Sequence, residues 1–192
     1  MAEIERDCAD ADGVYLFAND TVVDLYPKFG FRKGTEFLYT KTVDQTGSCG
    51  MVCVPMTDAE KWMRLARAMD ESQFAAGCTM VGNPGLIFFY VTGFMQENVY
   101  YSQRLNAWAI AELEEDHLTL RHVFAGKGVT LEELIRGFGE GVSRVTLGFA
   151  PEFRENWNRQ VLHEEDCTFF VKGEMFRDFE EKGLRIPALS HA

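Results

Sequence analysis

Leu16-Phe17-Ala18-Asn19-Asp20-Thr21-Val22-Val23-Asp24-Leu25-Tyr26-Pro27-Lys28-Phe29-Gly30-Phe31 is the stretch whose reading decides the fold. Val14-Tyr15-Leu16-Phe17 is a short run of β-formers between Gly13 and Asn19-Asp20, which predicts a buried strand. From Asn19 or Asp20 the apolar residues Val22, Val23, Leu25 and Tyr26 follow a helical spacing, and Pro27 and Gly30 end it, so the segment predicts a helix of about two turns. Phe31 to Val43, with Phe37 and Tyr39, reads as the next strand, and Gly47 to Gly50 as a loop. A strand that ends beside a short helix leaves a crevice at the carboxyl edge of a sheet, where open α/β folds bind ligands.

Asn19, Val22, Leu25-Tyr26 and Gly30-Phe31 fall at the spacing of the closing motif of the GNAT acetyltransferases, which this segment resembles. The resemblance implies a GNAT-like α/β (α+β) fold, a mixed, mainly antiparallel sheet with flanking helices, and an enzyme that moves an acetyl group from acetyl-CoA to a primary amine. It implies that Asn19 hydrogen-bonds the pantetheine arm and that Tyr26 protonates the departing thiolate. A phenol with a pKa of about 10 stays protonated at neutral pH and suits that task. The residues alone leave a plainer reading open, with Asn19 as a helix cap and Tyr26 as a core aromatic.

In that family, glycines behind a leading Gln or Arg hold the cofactor pyrophosphate, between a central strand and the helix that precedes the strand at Val14. Here that helix is expected at Ala2–Cys8, with the chain beginning inside it, so residues 1–45 read as the closing segment of a GNAT domain without its cofactor cradle. Residues 46–192 read as a second, degenerate GNAT-like domain. Thr57-Asp58-Ala59-Glu60 has the form of a capping box and predicts a helix to about Ser72, with Trp62, Leu65, Ala66 and Met69 on one face. Leu86 to Thr92, Ala107 to Leu113 and His117 to Phe124 read as strands, the last two joined by a turn at Glu114-Glu115-Asp116. Thr130-Leu131-Glu132-Glu133 is a second capping box, for a helix that ends near Gly137 to Gly141. Val142 to Phe149 and Cys167 to Val171 are predicted strands, Pro151 to Gln160 a loop or loose helix, and the tail from Ile186 carries no assignment.

The order strand, helix, strand, strand thus occurs near residues 14–43 and again near 117–171. In the second copy, the loop Ala125-Gly126-Lys127-Gly128-Val129 stands where the family binds its cofactor. Gly126, Lys127 and Gly128 are therefore candidate phosphate contacts, through backbone N–H groups and one ammonium. The leading Gln or Arg and the regular glycine spacing are absent, and an ordinary glycine turn before a capped helix accounts for the loop equally well.

Thirty acidic residues against nineteen basic give a net charge of −11, and that field repels phosphate backbones and anionic lipid surfaces. The expected partners are small cationic amines, not nucleic acid or membrane. Sixteen Phe and 46% hydrophobic content predict a packed core. No apolar run reaches the roughly 20 residues of a membrane span, and the acidic start is unlike a signal peptide, so a cytoplasmic protein is expected. Cys8, Cys49, Cys53, Cys78 and Cys167 are irregularly spaced and read as reduced thiols. No metal is expected: His117 and His122 point to opposite faces of a regular strand, and His163-Glu164-Glu165-Asp166 reads as a solvated acidic run. Strands missing from the sheet would leave an open edge, which predicts a homodimer.

Overall fold

The computed structural model describes residues 6, 8–47 and 50–191. The helix expected at Ala2–Cys8 therefore lies, apart from Arg6 and Cys8, outside the described residues, as does Cys49. The chain divides into two compact units: Met1–Phe37 with Gln160–Leu184, and Leu38–Arg159 with Arg185–Ala192. This division is discontinuous, where the sequence reading drew one boundary at residues 45–46.

The strands, in chain order, are β1 (Val14–Ala18), β2 (Arg32–Lys33), β3 (Phe37–Thr42), β4 (Val52–Cys53), β5 (Val99–Ser102), β6 (Ala107–Glu114), β7 (His117–Phe124), β8 (Arg144–Leu147), β9 (Asn158–Val161) and β10 (Thr168–Lys172). The helices are α1 (Ala59–Glu71), α2 (Pro84–Gly93) and α3 (Leu131–Gly137). A three-stranded sheet has the order β1-β10-β2, and a seven-stranded sheet the order β4-β5-β6-β7-β8-β3-β9. The fold is mixed α/β with a mainly antiparallel sheet, β7 and β8 being a parallel pair within it.

In each sheet a strand from a distant part of the sequence is inserted between two others. β10 lies between β1 and β2, with Leu16 opposite Phe170 on one side and Lys33 opposite Phe170 on the other. β3 lies between β8 and β9. Phe31 to Val43 is accordingly two strands in two sheets, not one; Gly34 sits at the break, where an added Cβ would meet the Phe169 ring at 2.7 Å. Cys167 to Val171, expected to close the second copy of the pattern, instead supplies the central strand of the small sheet.

The first unit's core gathers Ala18, Phe31 and Phe170, with Val14, Leu16, Val23, Tyr26 and Phe29 around them. The predicted two-turn helix is a pair of 3-10 turns, Asp20–Val22 and Tyr26–Phe29, linked by bonds of 3-10 type such as Leu25 N–H to the Val22 carbonyl at 3.0 Å. Pro27 explains this, because it has no N–H to continue an α-helical ladder and its ring crowds the preceding turn. Gly30 then takes a left-handed conformation at φ +79°, and its N–H closes the turn on Tyr26 and Pro27.

In the second unit, Leu65 of α1 and Ile87 and Val91 of α2 pack with Val99, Trp108, Ile110 and Phe124 from the sheet. Leu86 to Thr92 is helical, not a strand. Asn83 caps α2 by accepting the Leu86 N–H at 3.3 Å, Pro84 takes the first turn, and Ile87 and Val91 present one face to the core. A continuous apolar run carries no period that separates strand from buried helix. α1 starts one residue later than the sequence suggests: Asp58 Oδ1 accepts the Lys61 N–H at 3.1 Å, and Thr57 Oγ1 takes the Lys61 ammonium instead. No helix among the described residues is long and apolar enough to cross a membrane.

Candidate functional site

β7 and β8 run in register from His117 opposite Arg144 to Leu120 opposite Leu147, and Gly148 N–H still reaches the Leu120 carbonyl at 2.8 Å. Beyond that point β8 has ended while β7 continues to Phe124, paired with β6 alone, so the parallel strands part. β7 also carries an extra residue, Arg121, where its register with β6 shifts between Ile110 and Ala111; such a bulge bends its strand. The result is a fork at the carboxyl ends of the two strands, with α3 as the crossover between them.

Backbone sterics fix the closed end of the fork. A Cβ on Gly148 would lie 2.9 Å from the Arg121 carbonyl oxygen and 3.0 Å from its Cα, so only glycine lets the strands approach here. Ala188 N–H donates to the Gly148 carbonyl at 2.7 Å, and the buried Arg185 donates to the Leu147 carbonyl at 2.7 Å. The tail, unassigned from sequence, thus braces β8.

The open end is bridged by the chain between α1 and α2. Gln73 N–H donates to the Ala125 carbonyl at 2.8 Å at the end of β7, and Gly77 N–H donates to the Ala150 carbonyl at 2.8 Å beyond β8. Ser72 Oγ accepts the Ala125 N–H at 3.2 Å, Ala76 forms an antiparallel bridge with Pro151, and the Phe74 ring stands edge-on to Phe149. Residues 72–77 are therefore a strap across the fork, hydrogen-bonded to both lips. On one side lies a cavity of about 480 Å³ lined by Phe74, Phe149, Trp157, Lys127, Gly128 and Glu132, among others. On another side, a cavity of about 280 Å³ is lined by Ser72, Thr79, Ile87, His122 and Phe124.

Lys127 and Gly128 line the larger cavity, whereas Gly126 lines a neighbouring one with Arg64 and Trp108. All three are exposed, and Gly128 has φ +92°. The start of α3 behind them is already satisfied: Thr130 Oγ1 accepts the Glu133 N–H at 3.2 Å, and the Glu133 carboxylate accepts the Thr130 N–H at 3.1 Å. Those bonds hold the Glu133 carboxyl below its usual pKa. With Glu132 beside it, the first turn presents two carboxylates where a pyrophosphate would need donors.

His122 belongs to the same strand. It is 6% exposed, its ring lies 4.7 Å from that of Phe124, and its Nδ1 is buried without a hydrogen-bond partner among the described residues. Burial lowers its pKa to about 4, so the ring is neutral at pH 7. The bulge between the two histidines does not bring them together: His117 Nε2 lies 2.8 Å from Thr146 Oγ1 at the other end of the strand.

Asn19 and Tyr26 fall in the first unit, and Gly126, Lys127 and Gly128 in the second. Asn19 stands at the end of β1 with its side chain engaged: Oδ1 accepts from the Thr21 N–H and hydroxyl, and Nδ2 donates to Asp166. Asp166, exposed as the solvated acidic run expected from sequence would have it, also accepts the Asp20 N–H at 2.8 Å. The Tyr26 ring packs edge-on to Phe31 at 6.1 Å and against Phe170 at 5.3 Å. The strap was not singled out from sequence, and His122 only as a residue that a regular strand turns away from His117. The dipeptide Asn83-Pro84 is the local signal that would have made α2 a helix and so placed residues 72–79 in a connection.

No protein-family model matches the chain, and no curated protein matches it in sequence. Among solved structures, it is similar to a conserved Enterococcus faecalis V583 protein described as a probable N-acyltransferase, with 14% identity and a TM-score of 0.52 over 94% of this chain and 50% of that one. It also matches a GCN5-related N-acetyltransferase from Kribbella flavida (14% identity, TM-score 0.48, 89% and 46% covered) and Eis1 from Mycobacterium abscessus (12%, 0.43, 85% and 48%). The chain spans about half the length of these structures. At this identity the likeness to the Enterococcus protein establishes the fold: the chain has a GNAT-like fold.

Proposed function

We propose that the second unit is a GNAT-like module that binds rather than transfers, its acyl-CoA fork held by its own strap. The observation that carries this reading is the pair of hydrogen bonds from Gln73 and Gly77 to Ala125 and Ala150. An extended ligand arm lying in the fork would have to displace them. The acidic, self-capped first turn of α3 points the same way.

A second reading, acetyl transfer from acetyl-CoA to a small primary amine, is favoured by the local arrangement of the first unit. There Asn19 follows the end of β1 and caps the first 3-10 turn, Tyr26 opens the second, and Gly30 in its left-handed conformation returns the chain to β2. In this reading Asn19 exchanges Asp166 for the pantetheine arm and Tyr26 donates the phenolic proton to the departing thiolate. Net charge favours a cationic ligand in the first reading and a cationic acceptor in the second, and a second copy of the chain is the proposed protein partner.

Calorimetry of the purified chain with acetyl-CoA, beside thiol release in the presence of a polyamine, separates the two. The binding-module reading expects no thiol release and no acetyl-CoA heat that depends on Lys127. Micromolar acetyl-CoA binding weakened by Asn19→Ala, with thiol release lost in Tyr26→Phe, would replace it with the transferase.

A further inference from the structure

α1 carries three cations, and two of them have carboxylate partners on the same helix or its cap. Lys61 pairs with Asp58 at 3.1 Å, and Arg67 with Glu71 at 2.8 Å. Arg64 has no ion pair and no side-chain hydrogen bond among the described residues, although Glu60 stands one turn before it. Its guanidinium lies instead over two aromatic rings, 5.1 Å from the centre of Tyr101 and 5.4 Å from that of Trp108. Ring faces attract the charge, but they supply no oxygen to its N–H donors.

Tyr101 and Trp108 stand opposite one another on β5 and β6, and with Arg64 they line a cavity of about 380 Å³ beside the end of β7. That volume is within the range of small-molecule pockets. Arg67 and Glu71 line it too, so its walls carry two guanidinium groups and one carboxylate, a local charge of +1 in a chain of −11. Asn106 accepts the Tyr101 hydroxyl on its side-chain oxygen at 3.2 Å, which leaves its amide donors to offer a guest. Ser72 is already bonded to Ala125, and Gly126 leaves open space where a side chain would stand. The cavity is rich in donors, and the one carboxylate in its wall is already paired.

A cation would face both arginines. A carboxylate matches the planar fork of a guanidinium with two parallel bonds, and its single charge is balanced by the walls. A doubly charged phosphate monoester would exceed that balance, against Glu71 and the field of the chain. We propose that this cavity binds a small monocarboxylate, its oxygens on the guanidinium of Arg64. The site is separate from the larger cavity at the fork and does not depend on which reading of the fork holds.

Titration of the full chain with benzoate, benzamide and phenyl phosphate at pH 7.5, followed by nitrogen NMR, tests it. The three probes share one ring and differ in charge. Benzoate should saturate with a Kd of roughly 0.1–1 mM. Benzamide should bind at least about tenfold more weakly, because it brings no charge to Arg64, and phenyl phosphate should also bind more weakly than benzoate. Arg64 is exposed, so Arg64→Gln leaves the core in place and should reduce benzoate to the affinity of benzamide. Arg64→Lys, which keeps the charge without the fork, should recover only part of the loss. As a readout that needs no variant, the side-chain N–H resonances of Arg64 and Trp108 should move with benzoate at concentrations where benzamide leaves them in place. Benzamide as tight as benzoate, phenyl phosphate tighter than benzoate, undiminished benzoate binding by Arg64→Gln, or no saturable shift with benzoate would each overturn the proposal.

Discussion

The N–H of Gly77 donates to the carbonyl of Ala150 at 2.8 Å, and so ties the connection between α1 and α2 to the chain leaving β8. Its counterpart at the other lip is Ser72, whose hydroxyl accepts the Ala125 N–H at 3.2 Å. Ser72→Ala removes that acceptor and leaves a buried backbone donor unpaired. The expected loss is about 1–2 kcal/mol in urea unfolding. Hydrogen exchange should show the Gln73 and Gly77 amides opening faster in the variant than in the wild type. Unchanged exchange at both amides would show that the strap does not depend on this bond.

His122 makes stability depend on pH. Its folded pKa, about 4, lies below the ordinary 6.5, so between these values the unfolded chain binds a proton that the folded chain refuses. Stability is whole above about pH 6.5 and falls as the pH drops toward 4. At pH 5 the loss should be about 2 kcal/mol relative to pH 7.5. His122→Phe should flatten that slope. An imidazole that titrates by NMR above pH 6 in the folded chain would remove the basis for this prediction.

The closed end of the fork has its own test. Gly148→Ala places a methyl group against the Arg121 backbone, which cannot yield as a side-chain tip would. The expected cost is about 2 kcal/mol or more. Gly126→Ala meets open space and should be close to neutral. Thermal melts of the two variants, at about 2–4 °C per kcal/mol for a chain of this size, should separate them clearly.

What the sequence disclosed follows the range of its interactions. Thr130-Leu131-Glu132-Glu133 signals α3 because the bonds of a capping box close within one turn. Glu114-Glu115-Asp116 signals the β6–β7 turn because Glu115 adopts φ +54° within the hairpin itself. The Asn19 to Phe31 spacing led to the fold, yet Asn19's engagement with Asp166 joins residues 147 positions apart and leaves no local mark. The same holds for β10 between β1 and β2, and for Gln73 on Ala125. Leu86 to Thr92 failed for another reason: hydrophobic on all sides, it has no period to read, and only its cap distinguishes it.

The insertion of β3 into the large sheet gives the last prediction. Tyr39 pairs with Leu147 and Thr42 with Arg144, so β3 satisfies the edge of β8 that faces away from β7, and Tyr39 is fully buried in doing so. A chain cut at the boundary read from sequence, residues 46–192, would lose that strand. It would expose the β8 edge and a cavity the size of the Tyr39 side chain, a combined cost comparable to the roughly 5–15 kcal/mol that holds an ordinary domain together. The fragment should therefore lack a cooperative melt by circular dichroism and elute as aggregate. Adding residues 38–45 as a separate peptide should restore part of the transition. A monomeric 46–192 fragment that melts cooperatively near the temperature of the whole chain would mean that β8 does not need β3, and that the second unit's stability lies in α1, α2 and β5–β7 alone.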